Sequence, residues 1–284
     1  MKLNLKNVTI CAADSVTPFL AARAINKSIE LCDFGDAILF TDITQSEGLF
    51  RNVKIDRLTS KQDYSRFVLK ELAHHIHTEF VLIVQWDGYV LDASAWQPSF
   101  TDFDLIGAKW PWHKDGMTVG NGGFTFRSKK LLDAMNEPRF SLISNVPEDD
   151  LICRVYRPQL EKEYGIRFAP EVVADAFSYE RSLPVAPTFG FHGLFNMWRH
   201  IEDDEMSLIA ESFSSHLFRT REFFELLAQY VLLRKFSPLR DLYYLLKQNC
   251  HSNEIFLIMA NTYNNKEFSE YCFRICENLF ASRS

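Results

Sequence analysis

An alternation of strand and helix patterns over the first ninety residues constrains the fold of this 284-residue chain more than any other feature. Short β-type apolar runs alternate with helix-periodic segments, which predicts a mainly parallel sheet covered by helices. The last run, Phe80 to Leu91, reads FVLIVQWDGYVL and carries Asp87 near its polar end. Because an unpaired buried carboxylate is costly, we expect Asp87 at the carboxyl edge of the sheet, facing a crevice for a cation or charged ligand.

The remaining elements follow from the same patterns. Extended segments are expected at 7–13, 36–42 and 53–58, and helices at 18–32 and 63–75. Beyond residue 92 the pattern is less regular and indicates mixed or antiparallel strands at 104–110 and 122–127, then helices at 128–135 and 148–164. The predicted fold class is therefore an α/β mixed sheet flanked by helices.

From about residue 195 the strand signals stop and apolar residues recur at helical spacing. A spacing of 32 aligns Phe224 with Phe256 and Ala228 with Ala260, which indicates a two-fold helical-hairpin repeat similar in period to tetratricopeptide hairpins. We expect a catalytic domain at 1–200 and a helical hairpin region at 201–284. Two hairpins are fewer than such arrays usually need, so the helices are expected to pack on the first domain, on a second copy or on a protein partner.

Composition narrows the classes of function. The net charge of −6 and the pI of about 5.8 argue against nucleic-acid binding. No run approaches the roughly 20 apolar residues of a membrane span, and the N-terminus lacks the pattern of a signal peptide, so a cytoplasmic location is expected. The six cysteines form no CxxC pair of the kind found in zinc ribbons.

Four motifs follow one another along the chain: Gln85-Trp86-Asp87, Gly120-Asn121-Gly122-Gly123, Glu148-Asp149-Asp150, and His192 within FGFHG. This order resembles that of GT-A nucleotide-sugar glycosyltransferases, which carry an Asp-x-Asp metal motif, a glycine-rich loop, an x-Glu-Asp motif and a late histidine. More narrowly, QWDGYVLDASAW, IGAKWPW, VGNGGFTFRS, PEDDLICR and FGFHGLFN are similar to a bacterial family of GT-A-type proteins known as a domain of unknown function. The resemblance covers residues 5–200 and implies a GT-A-like, Rossmann-like sheet.

The resemblance implies a divalent cation, Mn²⁺ or Mg²⁺, beside a nucleotide-sugar donor. Asp87 would bind the metal or the diphosphate, and His192 would be the late metal ligand. Gln85 stands where Asp-x-Asp has its first carboxylate. A neutral amide binds a divalent cation more weakly than a carboxylate does, so the need for metal stays open, and Gln85 is retained as a donor-binding residue.

The acidic motif supplies the candidate catalytic residues, Glu148 and Asp149, with Asp149 as the base that the resemblance implies. Gly122 and Gly123 would let the backbone approach the donor or acceptor sugar where a Cβ would collide. Asp42 is a candidate to bind the ribose or base of the donor, as acids at strand ends do in other α/β sites.

Neighbouring side chains also suit a sugar-diphosphate ligand. Trp110 and Trp112 have aromatic faces that stack on sugar C–H surfaces. Arg127 and Lys109 could assist a diphosphate, although the sequence does not determine the direction of their side chains.

Each candidate also has a purely structural interpretation. Asp87 before Gly88 fits a hairpin turn, and Asp42 fits a helix cap. The acidic motif also suits the start of a helix, and His192 suits a hydrogen-bonded position in a tight loop. Gly122 and Gly123 equally fit a bulge or turn.

The expected function is transfer of a sugar from a nucleotide-diphosphate donor to a hydroxyl of a glycan or other acceptor, with inversion, in polysaccharide or glycan biosynthesis. One alternative is a sugar-1-phosphate nucleotidyltransferase, but its glycine-rich basic loop after the first strand is missing from CAADSVT at 11–17. The other is a catalytically degenerate GT-A scaffold that acts as a binding or interaction protein, which Gln85 favours.

Overall fold

A computed structural model describes residues 1–43 and 48–281 of the chain. The chain forms two compact units, Met1–His192 and Gly193–Ser284, which we call the sheet unit and the helical unit. The domain boundary predicted at residue 200 stays a prediction. The last three residues of the predicted helical region, 282–284, lie outside the described residues.

A six-stranded mixed sheet forms the centre of the sheet unit. Its strands are β1 (Leu3–Ala13), β2 (Cys32–Thr41), β3 (Arg51–Lys54), β4 (Phe80–Val84), β5 (Leu105–Ile106) and β6 (Phe124–Ser128). They are ordered β3-β2-β1-β4-β6-β5, with β1 to β4 parallel and β6 antiparallel to both of its neighbours. This arrangement confirms the predicted fold class, including the change to antiparallel strands after residue 92.

The central strands are apolar on both faces because helices and loops cover the sheet. In β4, Val81, Leu82, Ile83 and Val84 are all buried, which explains why this strand reads as a continuous apolar run. The helices of this unit are α1 (Pro18–Leu31), α2 (Lys61–Lys70), α3 (Lys129–Asn136), α4 (Glu148–Asp150), α5 (Arg157–Tyr164) and α6 (Glu171–Phe177). Two short strands, β7 (Ser178–Tyr179) and β8 (Gly190–Phe191), pair in parallel as a second sheet.

The single helix predicted at 148–164 is wrong in one respect, because a π-helical turn at Leu151–Val155 separates α4 from α5. The turn is closed by a 2.8 Å hydrogen bond from the Tyr156 amide to the Leu151 carbonyl. Pro158 accounts for the break, since proline lacks an N–H and its ring clashes with the carbonyl four residues earlier. A π turn of this kind often lies beside a functional site.

The helical unit confirms the predicted C-terminal helical region. Its helices are α7 (Asp203–Ala210), α8 (Arg221–Leu232), α9 (Phe236–Asn249), α10 (Ser252–Tyr263) and α11 (Lys266–Ala281). The last four pack as two successive helix pairs. Tyr243 and Lys247 of α9 both donate hydrogen bonds to the Glu277 carboxylate of α11, at 2.6 and 2.9 Å. Across the described ranges, no helix has both the length and the apolar character needed to cross a membrane.

Candidate active site

The end of β4 carries Gln85 and Asp87 to the carboxyl edge of the parallel strands, as predicted. The chain turns there, with a 3.1 Å hydrogen bond from the Gly88 amide to the Gln85 carbonyl. The turn does not make a hairpin with β4, because Val90 pairs instead with Gly190. Asp87 is only 9% exposed, so its carboxylate is held largely away from solvent.

His192, directly after β8, lies against the end of β4. Its Nε2 atom is 3.3 Å from Oδ1 of Asp87 and 3.2 Å from Oε1 of Gln85. Its Nδ1 atom is 3.1 Å from Oε1 of Glu180, which follows β7. A Cβ at Gly88 would come within 2.7 Å of the Phe191 carbonyl oxygen, so a glycine there permits the approach of the two segments. The first and last of the four sequence motifs are therefore in direct contact.

The carboxylates on either side of His192 control its charge. Burial by itself lowers the pKa of the imidazole, but Asp87 and then Glu180 outweigh that effect and raise the pKa to about 10. The ring is therefore protonated at neutral pH and forms ion pairs with both acids. A cation that took the place of the proton on Nε2 would meet Oδ1 of Asp87 and Oε1 of Gln85, while Glu180 would stay on the Nδ1 side of the ring.

The glycine-rich loop reaches this place because β6 is antiparallel to β4, so the start of β6 meets the end of β4. The Gln85 amide donates a 2.8 Å hydrogen bond to the Gly123 carbonyl, which extends the ladder by one step. Any Cβ at Gly123 would overlap the ring of His192. The loop is shaped by Asn121, which has a φ of 66° and accepts a 3.0 Å hydrogen bond from the Gly123 amide.

Asp149 meets the same loop from the start of α4. Its Oδ2 atom accepts a 3.1 Å hydrogen bond from the Gly122 amide, and its Oδ1 atom accepts one of 2.9 Å from the Asp150 amide. Burial raises the pKa of Asp149 to about 7, and the charges of Glu148 and Asp150 add to the effect. A carboxylate with a pKa in this range is suited to remove a proton at neutral pH.

Glu148 occupies a different environment from Asp149. Its carboxylate Oε1 is 3.0 Å from Nη2 of Arg127, and the side chains of the pair are only 5% and 1% exposed. Gly122 is in close contact with this carboxylate, because a Cβ there would overlap Oε1 of Glu148. Glu148 is therefore an internal ion-pair partner, whereas Asp149 is presented at the loop.

Asp42 lies on the same edge of the sheet but does not join this group. It directly follows β2, two strands from β4, and adjacent strands are about 4.8 Å apart, so the two strand ends are separated by about 10 Å. Its Oδ1 atom is buried without a hydrogen-bond partner among the described residues, and its Oδ2 atom is 3.9 Å from Arg57. The position suits a ligand that extends along the strand ends.

Both predicted basic candidates, Lys109 and Arg127, are engaged in ion pairs. Lys109 binds Asp175 at 2.8 Å and lies 3.9 Å from Glu171, and Arg127 binds Glu148. The two tryptophans differ in exposure: Trp110 is buried, whereas Trp112 is 56% exposed with its ring centroid 6.5 Å from that of Trp110.

Sequence reasoning missed Glu180 as a site residue. It enters the site through β7 and β8, which have only two residues each and are too short to show a strand pattern. Asp14, directly after β1, accepts 2.6 Å hydrogen bonds from the amides of Val16 and Thr17 in the turn that precedes α1. Burial raises the pKa of Asp14, and the charge of Asp87 contributes, as expected for acids at the ends of adjacent strands.

Asp87, Gln85 and His192 carry the oxygen and nitrogen donor atoms at the end of β4. Oδ1 of Asp87 and Oε1 of Gln85 both lie within 3.3 Å of His192 Nε2, and Glu180 contacts Nδ1 of the ring in the way that carboxylates orient metal-bound histidines. No cluster of three or more His, Cys, Asp or Glu side chains suited to metal binding occurs within 1–43 and 48–281. A cation here would therefore depend on oxygen atoms from its substrate to complete its shell.

Two solved glycosyltransferase structures are similar to part of this chain at low identity. A glycosyltransferase involved in glycosylation of the major capsid of PBCV-1 is 16% identical, with a TM-score of 0.40 over 65% of this chain and 91% of that one. The apo form of the glycosyltransferase GlyE of Streptococcus pneumoniae TIGR4 is 13% identical, with a TM-score of 0.38 over 68% of this chain and 54% of that one.

The chain matches no curated protein sequence. The model of one family covers residues 49–192, which is half of the chain and includes all four motifs of the site. The chain therefore belongs to the family described as protein of unknown function, DUF5672.

Proposed function

We propose that this protein is a glycosyltransferase that moves a sugar from a nucleotide-diphosphate donor to a hydroxyl acceptor. The observation that carries the proposal is the meeting of four distant segments in one crevice. His192 contacts Asp87 at 3.3 Å and packs on Gly123, while the Gly122 amide binds Asp149 at 3.1 Å. Two candidates thus flank the pair Gly122 and Gly123: His192, which would bind a diphosphate-bound cation, and Asp149, the candidate base.

The donor would lie along the carboxyl edge of the sheet. Asp42 would accept hydrogen bonds from the nucleoside, and the separation of about 10 Å between the ends of β2 and β4 suits the distance from a ribose to its diphosphate. Asp87, His192 and Gln85 would hold the cation. When bound, Mn²⁺ or Mg²⁺ neutralises the negative charge that builds on the diphosphate as it leaves.

Asp149 would act as the base that deprotonates the acceptor. It takes the proton of the acceptor hydroxyl as that oxygen bonds to the anomeric carbon, and the bond from that carbon to the diphosphate breaks at the same time. The products are the glycoside, the nucleoside diphosphate and protonated Asp149, which returns its proton to solvent. Direct displacement of this kind inverts the anomeric centre.

The acceptor would bind on the side of the loop 111–119, next to Asp149. Arg154, five residues beyond Asp149, fixes this loop through a 2.7 Å ion pair with Asp115 and a 2.8 Å hydrogen bond to the Met117 carbonyl. The loop carries the exposed ring of Trp112. An exposed tryptophan ring suits the C–H face of a sugar, so we propose a glycan as the acceptor class.

Release of nucleoside diphosphate from a panel of nucleotide-sugars, with and without glycan acceptors and Mn²⁺, tests the proposal. The expected result is turnover of one donor that Asp149→Asn reduces by about a thousandfold while binding of that donor is retained. Wild-type turnover in Asp149→Asn would rule out the base, and no turnover of any donor by the wild type would rule out the transferase.

A non-catalytic binding protein is the second candidate. Gln85 in place of a carboxylate and the protonated state of His192 favour it, because both weaken a metal site. Such a protein would bind a nucleotide-sugar or glycan in the same crevice without turnover. The donor panel separates the two functions when binding is measured beside product release.

A further inference from the structure

The buried ion pair of Arg127 and Glu148 lies next to the candidate base Asp149. Arg127 belongs to β6, and its side chain is 1% exposed. Glu148 begins α4 and is 4% exposed. A buried ion pair is rarely a net source of stability, because the cost of removing two charges from water is large. Stability alone therefore does not explain why this ion pair lies beside Asp149.

The contacts of the pair lead to Asp149 by two routes. Along the chain, Glu148 immediately precedes Asp149, so a fixed Glu148 side chain fixes the start of α4. Through space, Oε1 of Glu148 packs on Gly122 so closely that a Cβ there would overlap it. The amide of this same glycine donates the 3.1 Å hydrogen bond to Oδ2 of Asp149.

We infer that Arg127 and Glu148 are positioning residues that act together to hold Asp149 against the Gly122 amide, and that Glu148 itself exchanges no proton with the substrate. The inference rests on the proposed function for its consequences in catalysis. It divides the acidic motif into an internal anchor, Glu148, and a presented base, Asp149.

Charges around Asp149 agree with this division. Besides its own burial, the groups that act on the carboxylate are Glu148 and Asp150 on its own element and Arg127 on β6. The buried thiol of Cys153 lies in the same neighbourhood and is itself influenced by Asp149. Glu148 raises the pKa of Asp149 and Arg127 lowers it, so the pair also affects the protonation of the group that it positions.

Arg127 has a spare donor, which makes a conservative test possible. Its Nη2 atom makes the contact with Glu148, while Nη1 has no hydrogen-bond partner among residues 1–43 and 48–281. A lysine can replace one charged donor but not the planar fork. Arg127→Lys is therefore expected to retain much of the function of the pair.

The test compares Glu148→Gln with Asp150→Asn, a matched control that removes an adjacent negative charge from outside the buried pair. The readout that does not need turnover is the pH titration of the Asp149 carboxyl carbon by NMR, assigned by its loss in Asp149→Asn. In Glu148→Gln we expect the midpoint to fall below the wild-type value of about 7, and to fall further than it does in Asp150→Asn. Equal midpoints in wild type and Glu148→Gln would overturn the inference.

Turnover provides the second readout. Glu148→Gln is expected to lower kcat by 10- to 100-fold with the KM for donor within about twofold, whereas Asp150→Asn keeps kcat within about twofold. The double variant Arg127→Met with Glu148→Met replaces the pair by apolar side chains of similar length, and it should fold and show the same loss of kcat. The single variant Arg127→Lys should keep at least half of the wild-type kcat. Loss of turnover in Glu148→Gln as complete as in Asp149→Asn would overturn the inference by making Glu148 the base. If the wild type turns over no donor, the proposed function fails, and the NMR midpoints still decide the role of the pair.

Discussion

Nε2 of His192 lies 3.3 Å from Oδ1 of Asp87. This contact joins the last residue of the sheet unit to the segment that follows its central strand β4. The contact depends on β8, which is too short to form without its pairing to β7 and its bridge to Val90. The ligands of the proposed donor site are thus assembled by tertiary structure and not by any one motif.

Activity is expected to rise with pH around neutrality. Asp149 must be ionised to accept a proton, and its pKa is raised to about 7, mainly by burial. The kcat/KM of the wild type should therefore be low near pH 5 and reach a plateau above pH 8. A pH profile of donor turnover measures this, and a rate that is unchanged from pH 5 to pH 8 would show that Asp149 is not the base.

The same shift predicts a stability effect. Because the folded-state pKa of Asp149 lies above its usual value of 3.8, its ionisation opposes folding increasingly as pH rises from about 4 to 7. Asp149→Asn should then raise the melting temperature at pH 8 by about 2 °C, but not at pH 4. The gain is limited because an amide cannot accept from both the Gly122 and Asp150 amides. Calorimetric melts of both proteins at the two pH values test this. A difference in Tm, variant minus wild type, that is smaller at pH 8 than at pH 4 would contradict the prediction.

His192 should stabilise the fold at low pH more than at high pH. Its folded-state pKa is raised to about 10, above the usual 6.5, so the stabilisation is complete below pH 6.5 and is lost as pH rises through 10. His192→Gln should cost about 3 kcal/mol of unfolding free energy at pH 6, because Asp87 and Glu180 lose their cationic partner. Urea unfolding at pH 6 and pH 10 is the measurement, and an equal cost at both values would refute the ion-pair assignment.

Gly123→Ala should disturb the donor site without unfolding the protein. A Cβ there overlaps the ring of His192, which must then move away from Asp87. We expect donor affinity to fall at least tenfold. Gly116→Ala is a suitable control because a Cβ there meets nothing within 4 Å, although its φ of 81° adds backbone strain. Titration calorimetry of both variants provides the comparison, and equal donor affinities would argue against a donor site beside His192.

Trp112→Ala should affect the acceptor and leave the donor unaffected. The exposed ring provides a stacking face worth about 1 kcal/mol, so the KM for a glycan acceptor should rise about fivefold. Trp112→Phe should keep the KM for the acceptor close to the wild-type value, because it retains an aromatic face. Hydrolysis of the donor without acceptor is the internal control, and an unchanged acceptor KM in Trp112→Ala would remove this loop from the acceptor site.

Much of the fold follows from local patterns. The apolar run before Asp87 predicts β4 and the location of the carboxylate. A strand that is buried on both faces appears as a continuous apolar run, so it is recognised without knowing which strands it pairs with. The helix at 148–164 shows where such reasoning fails, because the pattern is continuous while Pro158 divides the structure.

The site is harder to predict because its decisive contacts are long-range. The resemblance implied Asp149 as the base and put Glu148 beside it as a catalytic candidate; the internal role of Glu148 depends on the position of Arg127 on β6. Glu180 could not be found at all, because a two-residue strand carries no periodicity. Chemistry-bearing residues at strand ends are therefore predictable, while the partners that set their charge and orientation are not.

The most direct test of the account is titration calorimetry of a nucleotide-sugar panel with wild type and Asp87→Asn, in the presence and absence of Mn²⁺. The account predicts that Mn²⁺ raises the affinity of the wild type for one donor at least tenfold and has no effect on Asp87→Asn. Affinities that are the same in the two proteins, with Mn²⁺ present, would contradict the assignment of this crevice as the donor site.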